Sequence, residues 1–247
     1  MSLTTRKSKD SKPIAITADK KFIYLNNDDD NSDSDDSSDE KEIKLKKKIL
    51  PFFDVSKKGV RIFLSGSTGS GKSYLCEKVI ETSFKNTKQI YLFSSVYDGD
   101  YDKFAKKLLH IDLEQFYGEN TDCKDIYSML MPNSLCIFDD ILSYSDNKPY
   151  LKLRSQVLAT GRHKNISCIV IEQQAMNRNL TREVLLNCEI YIFFPNSSFR
   201  SFKKCSEEYL GLTNKQIEEL KSKKSRWLAI NKVYPMYVVS EKSVEII

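Results

Sequence analysis

No stretch of this 247-residue chain approaches the run of about eighteen apolar residues that a membrane-spanning helix needs, so a membrane span is excluded. The opening residues, MSLTTRKSKDSKPIAI, lack the apolar core of a secretory signal, and the expectation is an intracellular, reducing compartment. Cysteine pairs are missing as well. Cys76, Cys123, Cys136, Cys168, Cys188 and Cys205 form no C-x-x-C motif, which argues against a zinc site or a disulfide scaffold and leaves buried thiols as the expectation. Histidine is scarce: His110 reads as a helix-terminal residue, and His163 as a group that orients a turn rather than a catalyst. No Asn-Lys-x-Asp signature is present, since NKPY, NKQI and NKVY all lack the Asp, and this excludes a guanine-specific switch protein.

Charge is present and unevenly placed. Residues 1–40 hold six Lys or Arg against ten Asp or Glu, leaving 33 against 24 for the rest, so an acidic beginning precedes a basic body. The run from Asn26 to Glu42, NNDDDNSDSDDSSDEKE, has nothing apolar to bury. The reading is a disordered N-terminal tail over residues 1–48, which acts as solvated chain, as a decoy for the basic surface or as a docking segment, followed by one folded domain over residues 49–247. KEIKLKKKIL, just after the acidic run, reads as a linker or edge strand rather than a DNA contact.

The most informative stretch is RIFLSGSTGSGKSYLCEKVI, Arg61 to Ile80. Apolar residues suited to a strand lead into Gly66, four residues, Gly71, Lys72 and Ser73, and then into an apolar pattern of helical period. This is the spacing of a P-loop, in which glycines let backbone N–H groups curl around phosphates at a helix N-terminus. Gly66, Ser67, Thr68, Gly69, Ser70, Gly71, Lys72, Ser73 and Tyr74 are therefore the expected nucleotide-binding residues, with Lys72 on the β and γ phosphates and Ser73 on magnesium.

Downstream, KQIYLFSSVYD from Lys88 reads as a second strand, Tyr101 to Leu109 as a helix, and Thr121 to Met129 as a helix capped by Thr121. Leu135 to Phe138 is an apolar strand that ends in two carboxylates. In a P-loop protein such a strand delivers Asp139 to the water shell of magnesium, and Asp140 takes the place of the acid that primes a water. Tyr150 to Thr160 has helical period, Gly161 breaks it, and ISCIVI is a strand followed by Glu172, Gln173 and Gln174. Gln173 is the expected γ-phosphate sensor, and Arg162, in the turn before that strand, the expected arginine finger toward a neighbouring subunit, with Arg154 as its rival. Asn187 to Pro195 reads as a fifth strand, two helices follow, the second capped by Thr213, and SRWLAINKVYPMYVV closes the chain as a hairpin. Arg200, Lys203, Lys204, Lys221, Lys223 and Lys224 suit solvated helix faces or a surface for DNA phosphates.

With GSTGSGKS and CIFDDIL upstream, LATGRHKNISCIVIEQQ makes the region Arg61 to Phe194 resemble the genome-packaging ATPases of large DNA viruses and their virophages, the poxvirus-type branch of the FtsK–HerA superfamily. Glu172 departs from that pattern, standing where a small polar residue is expected. The resemblance implies an α/β, three-layer P-loop fold of the RecA/FtsK-like kind, with a mostly parallel central sheet and a C-terminal antiparallel hairpin. It also implies that the ISCIVI strand lies between the P-loop strand and the Asp139 strand. ATP and Mg2+ are the implied cofactors, and a homo-oligomeric ring, double-stranded DNA and capsid or portal proteins the implied partners. Host cytoplasm, a virus factory or the virion is the implied location. By that likeness Lys72 and Ser73 hold phosphate and metal, Asp139 ligates the metal, Asp140 polarises water, Gln173 senses the γ phosphate and Arg162 acts in trans. The rival readings are a nucleotide kinase, which needs an arginine-rich lid that does not stand out, a non-hydrolysing ATP-bound scaffold, and a plasmid-transfer or segregation ATPase of the same superfamily.

Overall fold

The computed structural model describes residues 1–9, 11–26, 41–56, 58–95, 97, 99–112, 123–143, 148–176 and 178–247. In chain order the elements begin with β1 (Ser2–Thr4), β2 (Lys12–Thr17), β3 (Phe22–Asn26), β4 (Glu42–Lys44) and β5 (Ile49–Pro51). Next come β6 (Arg61–Ser65), α1 (Lys72–Ser83), β7 (Ile90–Ser94), β8 (Leu108–Asp112), α2 (Cys123–Met129), β9 (Leu135–Asp139), α3 (Lys148–Thr160) and β10 (Ser167–Glu172). The chain finishes with α4 (Arg178–Asn187), β11 (Ile190–Phe193), α5 (Phe199–Leu210), α6 (Asn214–Ser222), β12 (Leu228–Asn231), β13 (Tyr237–Ser240) and β14 (Ser243–Ile246).

The main sheet runs β4-β14-β13-β12-β11-β6-β10-β9-β7-β8. From β11 to β8 the pairings are parallel, and from β11 through β12, β13 and β14 to β4 they are antiparallel. Helices can cover both faces of a parallel sheet, so its central strands are apolar throughout: β6, β7 and β10 are buried at every residue. Side-chain alternation then divides the core in two. On one face Phe63, Phe138, Val170 and Tyr191 pack with residues of α2 to α6. On the other Ile62, Leu64, Ile137 and Ile171 meet Leu75, Val79 and Ile80 of α1 and the apolar side of a second, four-stranded sheet, β1-β3-β2-β5. This is the expected three-layer arrangement, and β10 lies between β6 and β9 as the resemblance implied.

Several local readings are corrected. Residues 1–48 are not a tail throughout: Ile14, Ala15, Ile23 and Leu25 are buried in strands β2 and β3, and β4 pairs with β14 at the sheet edge. The isoleucines of KPIAIT and the aromatic and β-branched residues of FIYLN, whose burial alternates, are a strand signal that the regional charge count hides. The acidic residues 27–40 and Thr121 lie outside the described residues. Tyr101 to Leu109 is not a helix but a 3-10 turn, Asp102–Phe104, leading into edge strand β8. That strand places His110 beside β7, with its Nε2 3.1 Å from the Ser94 hydroxyl, so His110 is not helix-terminal. The closing hairpin gains a third strand, β14. Thr213 does cap α6, with a reciprocal capping box to Gln216.

Gly59 approaches β10 so closely that a β-carbon would sit 2.2 Å from the Ile166 carbonyl oxygen. Backbone cannot yield as a side chain does. Gly59→Ala is therefore expected to cost about 2–3 kcal/mol through overpacking, read as a lower urea midpoint.

Candidate functional site

β6 carries the chain to its carboxyl end at Ser65, where it must turn into α1 without burying bare backbone. Gly69 (φ 75°) and Gly71 (φ 98°) take left-handed conformations that few other residues adopt, and Gly71 becomes the N-cap of α1. Gly66 meets a second constraint, since a β-carbon there would lie 2.7 Å from the Ser70 hydroxyl and 3.0 Å from the Phe194 ring. The resulting loop presents the N-terminus of a twelve-residue helix, with Ser67, Thr68 and Gly69 exposed and Lys72 and Ser73 half-buried. Lys72 bends back over the loop, its Nζ donating to the carbonyls of Gly66 (2.8 Å) and Ser67 (3.1 Å). Burial lowers the basicity of that amine, while Asp139 and Asp140 pull it back up.

The two carboxylates arrive from β9. Asp139 is its last residue, and Asp140 turns out of the strand at φ 49° with its N–H donating to the Ile171 carbonyl of β10 at 2.9 Å. A non-glycine residue in that conformation is strained, and such strain concentrates at functional sites. Gln173 follows β10 directly, and its Nε2 donates to Asp140 Oδ2 at 2.6 Å. A cleft of about 180 Å3 opens beside Asp140, Ser143 and Gln173. The fold thus gathers Lys72, Asp139, Asp140 and Gln173 at the carboxyl ends of adjacent parallel strands, the edge where such sheets bind ligands.

Nucleotide and magnesium fit these groups. Ser70 Oγ is buried in the loop with no hydrogen-bond partner, an orphan that a phosphate oxygen would satisfy. Among the described residues no cluster of three or more His, Cys, Asp or Glu could hold a metal by itself. Ser73 and Asp139 are the residues that would supply the protein ligands.

The two arginines separate cleanly. Arg154 is 2% exposed, and its Nη1 lies 3.1 Å from Glu172 Oε1, also 2% exposed, so it is removed as a candidate finger. Sequence reasoning missed this buried pair. Arg154 falls on the helical stripe of Tyr150, Leu153 and Val157, which is the signal that places it in the core. Arg162 is exposed, in the 3-10 turn Gly161–Lys164 at the amino end of β10, where it raises the local positive potential at Arg61. A six-residue strand separates it from Gln173, so it does not reach its own chain's P-loop. His163 is exposed in the same turn.

Arg226 is a second residue that sequence reasoning passed over. It stands beside the loop, so that a β-carbon on Gly71 would meet its Nη2 at 2.9 Å. A larger cleft, about 700 Å3, lies elsewhere, and its Lys223 is already shared between Glu42 and Glu245 at 2.7 Å each. Lys203, Lys204 and Lys221 stand on helix faces beside Glu207, Glu208 and Glu218, loose surface pairs that leave their charge available. The five cysteines with described side chains are free and buried, and burial pushes the Cys76 and Cys168 thiols up to about 12, out of the reactive range. Among the described residues no helix is long and apolar enough to cross a membrane.

A P-loop on β6, a carboxylate pair on β9 and an intervening strand ending in Gln173 define a P-loop ATPase of the RecA/FtsK-like kind. The chain belongs to the poxvirus A32 protein family, whose model matches residues 51–185. The uncharacterized protein V3 of Sputnik virophage is 29% identical over 256 residues, 96% of each chain. The DNA packaging protein OPG160 of variola virus is 28% identical over 125 residues, 46% of this chain and 45% of that one, so the match spans less than half of either. Among solved structures, the cytoplasmic domain of the Thermomonospora curvata type VII secretion ATPase EccC has a similar fold, with a TM-score of 0.51 at 15% identity over 96% of this chain and 28% of that one.

Proposed function

We propose that this protein is an ATP-hydrolysing motor that packages viral DNA. The observation that carries the reading is the meeting of Lys72, Asp140 and Gln173 at one sheet edge, with Gln173 donating to Asp140 at 2.6 Å. Membership of the A32 family and similarity to a poxvirus DNA packaging protein support the same activity. In this reading Gly66 to Tyr74 hold ATP, and Ser73 and Asp139 hold Mg2+, which supplies Lewis-acid stabilisation of the phosphate charge. Asp140 accepts the proton of the attacking water, and Gln173 links the γ phosphate position to β10. Arg162 stabilises the charge developing in a neighbour's site, which requires subunits packed head to tail, the geometry that closes into a ring. Double-stranded DNA meets the exposed lysines without regard to sequence, and its binding weakens steeply with salt. Capsid or portal proteins complete the set of partners, at the site of virion assembly inside the host cell.

Steady-state ATP hydrolysis with and without double-stranded DNA tests this. DNA is expected to stimulate turnover, and Arg162→Ala, mixed into intact protein, is expected to poison activity beyond its mole fraction because one variant subunit disables its neighbour's site. Turnover that ignores DNA and falls only in proportion to the mixed variant would refute the ring motor.

A further inference from the structure

A cavity of about 400 Å3 shares Gly71 with the phosphate loop. Its other walls come from both ends of the chain. Tyr74 and Leu75 rise from the first turn of α1, and Phe194 follows β11. Arg226 precedes β12, and Ala18 and Leu50 come from the four-stranded N-terminal sheet. The parts are joined by hydrogen bonds. Arg226 N–H donates to Glu241 Oε2 at 2.9 Å, Ile49 N–H donates to the Glu241 carbonyl at 2.9 Å, and Ala18 N–H donates to the Lys48 carbonyl at 3.1 Å. The cavity is therefore built by the N-terminal sheet docking on the C-terminal strands, not by the phosphate loop alone.

The geometry points to this cavity as the subsite for the base and ribose of the nucleotide whose phosphates occupy the loop, an inference that rests on the ATPase reading. Loop and cavity meet at Gly71, so a ligand with phosphates against Gly66 to Ser73 can extend into the cavity there. Its chemistry suits a flat heteroaromatic ring: mostly apolar walls, the Tyr74 ring at the mouth, 60% exposed, and one guanidinium able to stack or to donate. Lys78, which also lines the cavity, lies with its Nζ 5.6 Å from the Tyr74 ring centroid and holds a positive charge beside the ring. The N-terminal sheet thus belongs to the nucleotide site, although all of it but Pro51 lies before the family match, which begins at residue 51.

The test compares ATP with inorganic tripolyphosphate, both with Mg2+, as ligands of the full chain in titration calorimetry. Ala18→Trp fills the cavity from an exposed position, and Tyr74→Ala removes its ring from another, so neither change should disturb folding. Each variant is expected to bind ATP at least about tenfold more weakly and tripolyphosphate within about twofold of the unaltered protein. Equal weakening of both ligands, or unchanged ATP affinity, would overturn the subsite. The ATPase reading fails separately, and the subsite with it, if the unaltered protein binds neither ligand or if Lys72→Ala leaves the affinity for both unchanged.

Discussion

At pH 9, replacing Arg154 by methionine is expected to lower the unfolding free energy by about 3–5 kcal/mol, the cost of leaving a buried charge without its partner. Glu172 ends β10, and Arg154 reaches it from α3 at 3.1 Å, with both side chains 2% exposed. Burial, opposed by Arg154 and aided by Asp140 and Asp139, pushes the Glu172 carboxyl from its usual 4.5 up to about 8. A carboxyl raised in this way takes up a proton on folding between those two values. Its contribution to stability is thus greatest at acid pH and falls as pH rises through the window. Without Arg154 the carboxyl rises further still and the loss continues beyond pH 8, whereas at pH 5 Glu172 is neutral in both proteins and the difference shrinks. Urea midpoints at pH 5 and pH 9 check this, and adding Glu172→Gln to the Arg154→Met background should restore most of the loss at pH 9. Equal losses at the two pH values would show that Arg154 serves through packing alone. The pair also bears on function, because an arginine fixed in the core cannot enter a neighbour's site, which leaves Arg162 as the exposed candidate.

The same pair shows what a sequence discloses and what it hides. The P-loop and the Leu135–Asp139 strand are legible because their chemistry is contiguous: glycines, a lysine and a hydroxyl within eight residues, and two carboxylates directly after an apolar strand. Thr213 and Gln216 are legible for the same reason, since a capping box is a three-residue relation. Contacts across 18 residues, such as Arg154 to Glu172, need the fold, although the apolar stripe of α3 marks Arg154 as buried. The N-terminal sheet was obscured by averaging, because six cations and ten acids over residues 1–40 describe a region that still holds the strands Lys12–Thr17 and Phe22–Asn26, the second with alternating burial. Strand Leu108–Asp112 is harder to see, since KFAKKLL carries helical spacing and only pairing with Ile90–Ser94 makes it a strand. Arg226 had no local signal, as its place beside Gly71 comes from antiparallel strands added past the parallel sheet.

Asp140→Asn is expected to reduce ATP turnover by about 10²–10⁴-fold while leaving ATP affinity within about threefold, because under the proposed mechanism it removes the proton acceptor and little else. Asn tolerates the left-handed conformation that Asp140 holds at φ 49°, its backbone N–H can still donate to the Ile171 carbonyl, and its amide oxygen can still accept from Gln173. The local geometry therefore survives, and what is lost is the ability to take a proton from water. Lys72→Ala supplies the contrast. It removes the amine that now bridges the Gly66 and Ser67 carbonyls at 2.8 and 3.1 Å, and ATP affinity should fall together with turnover. Gln173→Ala should fall between them, since it removes the amide that donates to Asp140 Oδ2 without touching the phosphate loop. Pre-steady-state turnover beside calorimetric affinity for the three variants separates these outcomes. If Asp140→Asn binds and hydrolyses ATP as the unaltered protein does, the Asp140 carboxylate is not the base, whereas if neither the variants nor the unaltered protein turns ATP over, the site acts as a nucleotide clamp.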